Sequence, residues 1–138
     1  MAEKKDILDY RHIRKIAGSF SWLDHRFITG GFLDDLATTE IVLYFFLVAV
    51  SDRHGLSFYH DDRICRLLKI DLSSIGQARE GLIQRSLIDY RYPVYQVLAL
   101  PPTPVVPPTK EEREDEKRQK DLFYIQRIKR MATHGSKI

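Results

Sequence analysis

Between residues 36 and 100 the apolar positions repeat first with a helical period, then with a strand period, and the switches between the two outline a compact domain. Thr38 stands before a long apolar run with Glu40 in the first turn, which predicts a helix N-capped by Thr38 and running to about Ser51. That helix is apolar nearly all round, the pattern of a central buried helix. Asp52, His54 and Gly55 mark a turn, and Ser57-Phe58-Tyr59 a short strand. Asp61 and Asp62 open a second helix carrying Ile64, Leu67 and Leu68. Lys69-Ile70-Asp71 forms the next turn, with Ile70 plugging the gap between helices and Asp71 N-capping a helix over 72–86 that holds Ile75, Ala78, Leu82 and Ile83. Leu87 and Ile88, a turn at Arg91-Tyr92-Pro93, and alternation at Tyr95, Val97, Leu98 and Leu100 predict a β-hairpin. Leu43, Phe46, Leu47, Ile64, Leu68, Ile75, Leu82 and Leu98 are the expected core.

The flanks follow other patterns. Residues 1–35 are expected to form an N-terminal helix and an extended arm. Ile7, Leu8, Tyr10, Ile13 and Ile16 predict a short helix over 6–17 with a basic face at Arg11, Arg14 and Lys15, ended by Gly18. The stretch 19–31 reads as an extended arm pinned by Trp22, Phe27 and Phe32. Residues 101–108 contain five prolines, which forbid helix and favour an extended spacer. Beyond it, 109–138 is a charged segment predicted to be helical to about Ala132, with an apolar stripe at Leu122, Ile125, Ile128 and Met131. A stripe that short needs a partner surface to hold a helix, or else the segment is a solvated, fraying tail. A second copy of the chain, a larger protein, or DNA contacted through Lys129 and Arg130 would serve, and protein contact is favoured.

Composition narrows the function classes. The chain's 138 residues are 43% hydrophobic and 30% charged, enough for one core with polar extensions. Its single cysteine, Cys65, excludes an intramolecular disulfide, and with no secretory leader it fits a cytoplasmic location. The longest apolar run, from Ile41 to Val50, is too short for a membrane span. The net charge of +3 is unevenly spread: residues 1–32 carry +2, residues 33–100 carry −2 and residues 101–138 carry +3. The central part is thus mildly acidic, and the excess positive charge sits in the arms.

No constellation points to catalysis. Asp34-Asp35 and Asp61-Asp62 are adjacent, so on a helix they diverge by about 100° and serve as helix-start charge rather than as an acid–base pair. His12, His25, His54, His60 and His134 show no metal-ligand spacing with one another or with Cys65, which reads as a buried inert thiol; His60 caps or precedes the second helix. Phosphate-binding glycine loops and nucleophile elbows are missing from the sequence. A non-enzyme without cofactor or metal is expected.

The run Ile64-Cys65-Arg66-Leu67-Leu68-Lys69-Ile70-Asp71-Leu72-Ser73-Ser74-Ile75 resembles the helix-turn-helix of bacterial winged-helix regulators, and Ala78-Arg79-Glu80-Gly81-Leu82-Ile83 followed by Leu87-Ile88 resembles their recognition helix and first wing strand. Over about residues 36–100 the chain is also similar to winged-helix domains of replication initiators and of small accessory proteins of mobile elements. The resemblance implies a mainly α (α+β) winged helix-turn-helix domain with a small β-hairpin wing, binding double-stranded DNA in the major groove through helix 72–86. Its recognition face would be Leu72, Ser73, Gly76, Gln77 and Glu80, with Gln77 reading an adenine edge. Ser73 and Ser74 at the helix start would suit a phosphate, and Arg66, Lys69, Arg79 and Arg85 would clamp backbone phosphates. Two departures stand out: the short wing has only Arg91 as a basic residue, and Gly76, Gln77 and Glu80 occupy positions where basic residues are more usual. Two roles follow: a DNA-binding transcription regulator or accessory factor of a mobile element or replication system, or a winged-helix adaptor that binds a partner protein in a replication or transposition complex.

Overall fold

A computed structural model describes residues 5–107 and 110–135. Five α-helices and three strands follow in the order α1 (Arg26–Thr29), α2 (Thr38–Val50), β1 (Leu56–Phe58), α3 (Asp61–Leu68), α4 (Leu72–Gln84), β2 (Ile88–Arg91), β3 (Val94–Val97) and α5 (Lys110–Gly135). The strands form one antiparallel sheet in the order β1-β3-β2. The fold is therefore a small α+β arrangement in which α2 and α4 pack on each other, α2 covers β3, and α3 leans on α4.

The core forms where the helical and strand patterns meet. Leu43, Tyr44, Leu47 and Val48 of α2, Ile64 of α3, Ile75, Ala78 and Leu82 of α4, and Leu87, Ile88 and Tyr95 of the hairpin are buried together. Of the expected core, Phe46 and Leu68 pack against this cluster partly buried, and Leu98 is half-buried, its amide extending the hairpin ladder to the Leu87 carbonyl at 3.0 Å. Leu82 is fully buried, so Leu82→Ala should cost roughly 2–5 kcal/mol through lost burial and a residual cavity. A urea titration followed by circular dichroism checks this; a cost below 1 kcal/mol would contradict the packing register of α4.

Several local expectations are corrected. Residues 6–17 form no α-helix; only a 3-10 turn at Tyr10–His12 appears, closed by the Asp9 carboxylate on the Arg11 amide at 2.9 Å. Ile7, Leu8, Tyr10, Ile13 and Ile16 are all exposed, and a short amphipathic segment without a surface to cover does not hold a helix. The arm is interrupted by α1, whose Phe27 is fully buried and stacks on Tyr44 with ring centroids 4.2 Å apart. Phe32 is buried too, but Trp22 is 81% exposed and pins nothing. Instead Ser21 holds the arm across the end of α2, its hydroxyl donating to the Ala49 and Ser51 carbonyls at 3.2 and 3.0 Å.

The N-cap of α2 is Ala37, not Thr38. Glu40 reaches back to accept the Ala37 amide at 2.8 Å, half of a capping box without the hydroxyl partner. The first strand is shifted by one residue from 57–59, α4 ends at Gln84 rather than 86, and β3 ends at Val97. Cys65 is half-buried rather than buried. The C-terminal helix begins at Lys110 within the described residues, Thr109 lies outside them, and the side chains described on α5, from 111 to 132, are exposed. The turn chemistry appears as expected: Lys69 ends α3 in the left-handed region at φ 58°, and Asp71 accepts the Ser74 amide at 2.7 Å. That hydrogen bond holds the Asp71 carboxyl below its usual value, so its capping contribution is present above the ordinary carboxylate pKa and fades as pH falls through the lowered one.

Candidate nucleic-acid interface

The turn Lys69-Ile70-Asp71 sets α4 against α3, and the 3.6-residue period decides what α4 shows to solvent. Ile75, Ala78 and Leu82 face the core. The opposite side presents Leu72, Ser73, Gln77 and Glu80 exposed, with Ser74 and Gly76 half-buried. A Cβ placed on Gly76 would meet nothing within 4 Å, so that stretch of the helix is open to close approach. The Ser74 amide, however, is occupied by Asp71, so an incoming phosphate would compete with a carboxylate there.

The cations divide into two groups. Arg66 is exposed and faces Asp62 one turn earlier at 3.8 Å, a weak surface pair. Lys69 and Arg91 are exposed as well. Arg79 and Arg85, expected to clamp phosphates, are instead committed inside the fold. Arg79 donates from Nη1 to Asp61 Oδ1 at 2.7 Å and to the Tyr95 hydroxyl at 2.8 Å, and its guanidinium lies 4.6 Å over the Tyr90 ring. Burial works against its charge, but Asp61 and Tyr95 outweigh that and raise its pKa above the ordinary value. Arg85 donates from Nη1 to Glu40 Oε2 at 2.6 Å and to the Gly81 carbonyl at 3.1 Å, and from Nη2 to the Asp35 carbonyl at 2.9 Å. The sequence shows both as basic residues on a polar helix; only the packing shows that α4's lateral flanks, where they sit, face Asp61 and Glu40 of neighbouring helices.

Arg79 is therefore a positioning residue. It ties the middle of α4 to the first residue of α3 and to both strands of the hairpin, which fixes the angle at which the open face is displayed. Beside this anchor lies a feature that the sequence reading did not single out. Phe58, at the end of β1, packs edge-on against His60 with centroids 5.7 Å apart, and His60 meets Tyr92 of the β2–β3 turn at 5.9 Å. Strand alternation alone sets Phe58 on the face opposite Ser57, but its nearness to Tyr92 comes only from the pairing of β1 with β3.

Among the described residues, no group of three or more His, Cys, Asp and Glu could hold a metal ion, and no helix is long and apolar enough to cross a membrane. Comparisons of the chain with protein-family models, with curated proteins and with solved structures return no match.

Proposed function

We propose that this chain is a cytoplasmic, non-enzymatic DNA-binding protein of the winged helix-turn-helix type, acting as a transcription regulator or as an accessory factor of a replication system or mobile element. The observation that carries the reading is the element order: α2, β1, α3, a tight turn, α4 and then a hairpin, with the sheet ordered β1-β3-β2 and one face of α4 left uncovered. A helix so presented matches the width of the major groove, and the hairpin beside it is a wing. Gln77 is the base-reading candidate, while Arg66, Lys69 and Arg91 are exposed cations that phosphates could meet.

Two substitutions separate these roles. Gln77→Ala should alter base preference and leave nonspecific affinity within about twofold, because a base-edge contact is lost and the phosphate contacts remain. Lys69→Ala should weaken all sequences alike and reduce the salt slope of binding by about one. Fluorescence anisotropy against a randomised duplex pool and at several salt concentrations measures both; identical, sequence-independent losses would mean that α4 reads no bases.

The adaptor reading keeps specific support. With Arg79 and Arg85 turned inward, the mildly acidic body offers few phosphate contacts. Absence of any duplex binding at low salt would favour it. In either reading the exposed stripe of α5, Leu122, Ile125, Ile128 and Met131, is assigned to protein contact. Eight proline-rich residues in fully extended form would span about 25 Å at roughly 3.1 Å per residue, a length that would let α5 stand clear of the body. Removal of the chain from 109 onward should leave the thermal midpoint within a few degrees and abolish self-association or partner binding, read by sedimentation. Unfolding of the shortened chain would show that the tail packs back on the domain.

A further inference from the structure

We propose that the open end of the sheet, formed by Phe58, His60 and Tyr92, is a stacking site for unpaired nucleobases, so that the preferred nucleic acid is a duplex flanked by single strand rather than a blunt duplex. The inference rests on the DNA-binding reading of α4 and names the form of DNA that the same surface takes.

Three rings in succession stand at one edge of the molecule, and the outer two are strongly exposed, Phe58 at 61% and Tyr92 at 72%. Chains of exposed aromatics cost solubility and do nothing for this core, whose rings lie on the opposite side of the sheet with Tyr95. Their chemistry distinguishes what they would bind. Groove edges are read by hydrogen-bonding side chains such as Arg, Asn and Gln. Phe, Tyr and His instead offer flat faces, which pair with the faces of bases, and in a duplex those faces are already covered by neighbouring base pairs.

The spacing points the same way. The ring centroids are 5.7 and 5.9 Å apart, and the planes are inclined by 77° and 51°. Stacked bases rise by roughly 3.4 Å, so successive rings cannot match a stacked column, whereas a splayed single strand can place one base on each outer ring. The strand register sets a cation beside the rings: Arg91 lies in the same cross-strand row as Val94 and Phe58, while Arg63, exposed in the first turn of α3, lies over Tyr59. The carboxylate of Asp62 on that helix faces Arg66. The site also lies near the Arg79 flank of α4. His60 immediately precedes Asp61, which anchors Arg79, and Tyr92 closely follows Tyr90, over which the same guanidinium lies. A DNA fork held on α4 with its unpaired arms on this flank would bring them to the rings.

The test uses the full chain and three labelled DNAs: a blunt duplex, the same duplex with unpaired arms, and a single strand. The forked form should bind more tightly than the blunt one. Phe58→Ala with Tyr92→Ala should lower affinity for the fork about ten- to a hundredfold and change the blunt duplex by no more than about twofold. Tyr92→Trp, which keeps a ring, should retain fork binding, and Tyr92→Ala alone should show an intermediate loss. Circular dichroism confirms that the variants fold. Equal affinity of the wild-type chain for fork and blunt duplex overturns the proposal and leaves the α4 reading standing. Binding to the single strand, lost in the double variant, without binding to the blunt duplex supports the stacking site and overturns the α4 reading. An unaltered fork affinity in the double variant, accompanied by weaker self-association in sedimentation, overturns the proposal in favour of a protein-docking face.

Discussion

Glu40→Ala should destabilise the protein by about 3–5 kcal/mol, because it leaves the Arg85 guanidinium buried without its main counter-charge. The pair is well enclosed: the Glu40 and Arg85 side chains are 11% and 15% exposed, and Arg85 Nε is already buried without a partner. The substitution also removes the carboxylate that accepts the Ala37 amide at the start of α2. Asp35 stands 3.6 Å from the guanidinium but is largely exposed, so it compensates little. For a domain of this size the thermal midpoint should fall by more than about 12 °C. Urea and thermal unfolding of the variant measure the loss. The double change Glu40→Leu with Arg85→Met separates charge from packing, since replacing both partners by apolar groups should recover more than half of the cost. Gly81 belongs to the same arrangement: a Cβ there would run into the Glu40 carboxylate, so a side chain at this position requires Glu40 to shift. A Glu40→Ala loss below about 1 kcal/mol would mean that Arg85 finds water or another partner.

Phe27→Ala should cost a comparable amount, about 3–5 kcal/mol, through the cavity left by a fully buried ring. Phe27 stacks on Tyr44 at 4.2 Å and meets Phe45 edge-on at 5.6 Å, so its removal uncovers the middle of α2. The effect tests whether the arm is part of the folded body. Chemical denaturation of the variant, with near-ultraviolet circular dichroism to follow the aromatic packing, reads it directly. A loss under 1 kcal/mol would show that α1 docks loosely and that the body is complete without it.

The sequence by itself determined the local structure wherever a residue's own chemistry decides. The apolar run of α2, the aspartates opening α3, the Lys69-Ile70-Asp71 turn, Asp71 as a cap and the Tyr92-Pro93 turn all stand within a residue or two of where period and capping place them, because these choices depend on neighbours in the chain. The prolines likewise keep the described residues 101–107 out of any helix. The amphipathic segment at 6–17 shows the opposite limit: its pattern is helical, but no surface covers Ile7, Ile13 and Ile16, and a short helix is not stable on propensity alone. Only the tertiary structure decided which cations are available. Arg66, Lys69, Arg79 and Arg85 look alike as residues on or beside two helices; the packing of α4 against Asp61 and Glu40 withdraws the latter two, since a partly buried guanidinium is held only where a carboxylate and carbonyls meet it. The same holds for the rings at the end of the sheet. Phe58 and His60 are close in sequence, but Tyr92 reaches them only through the pairing of β1 with β3, a contact between distant segments that no local pattern encodes.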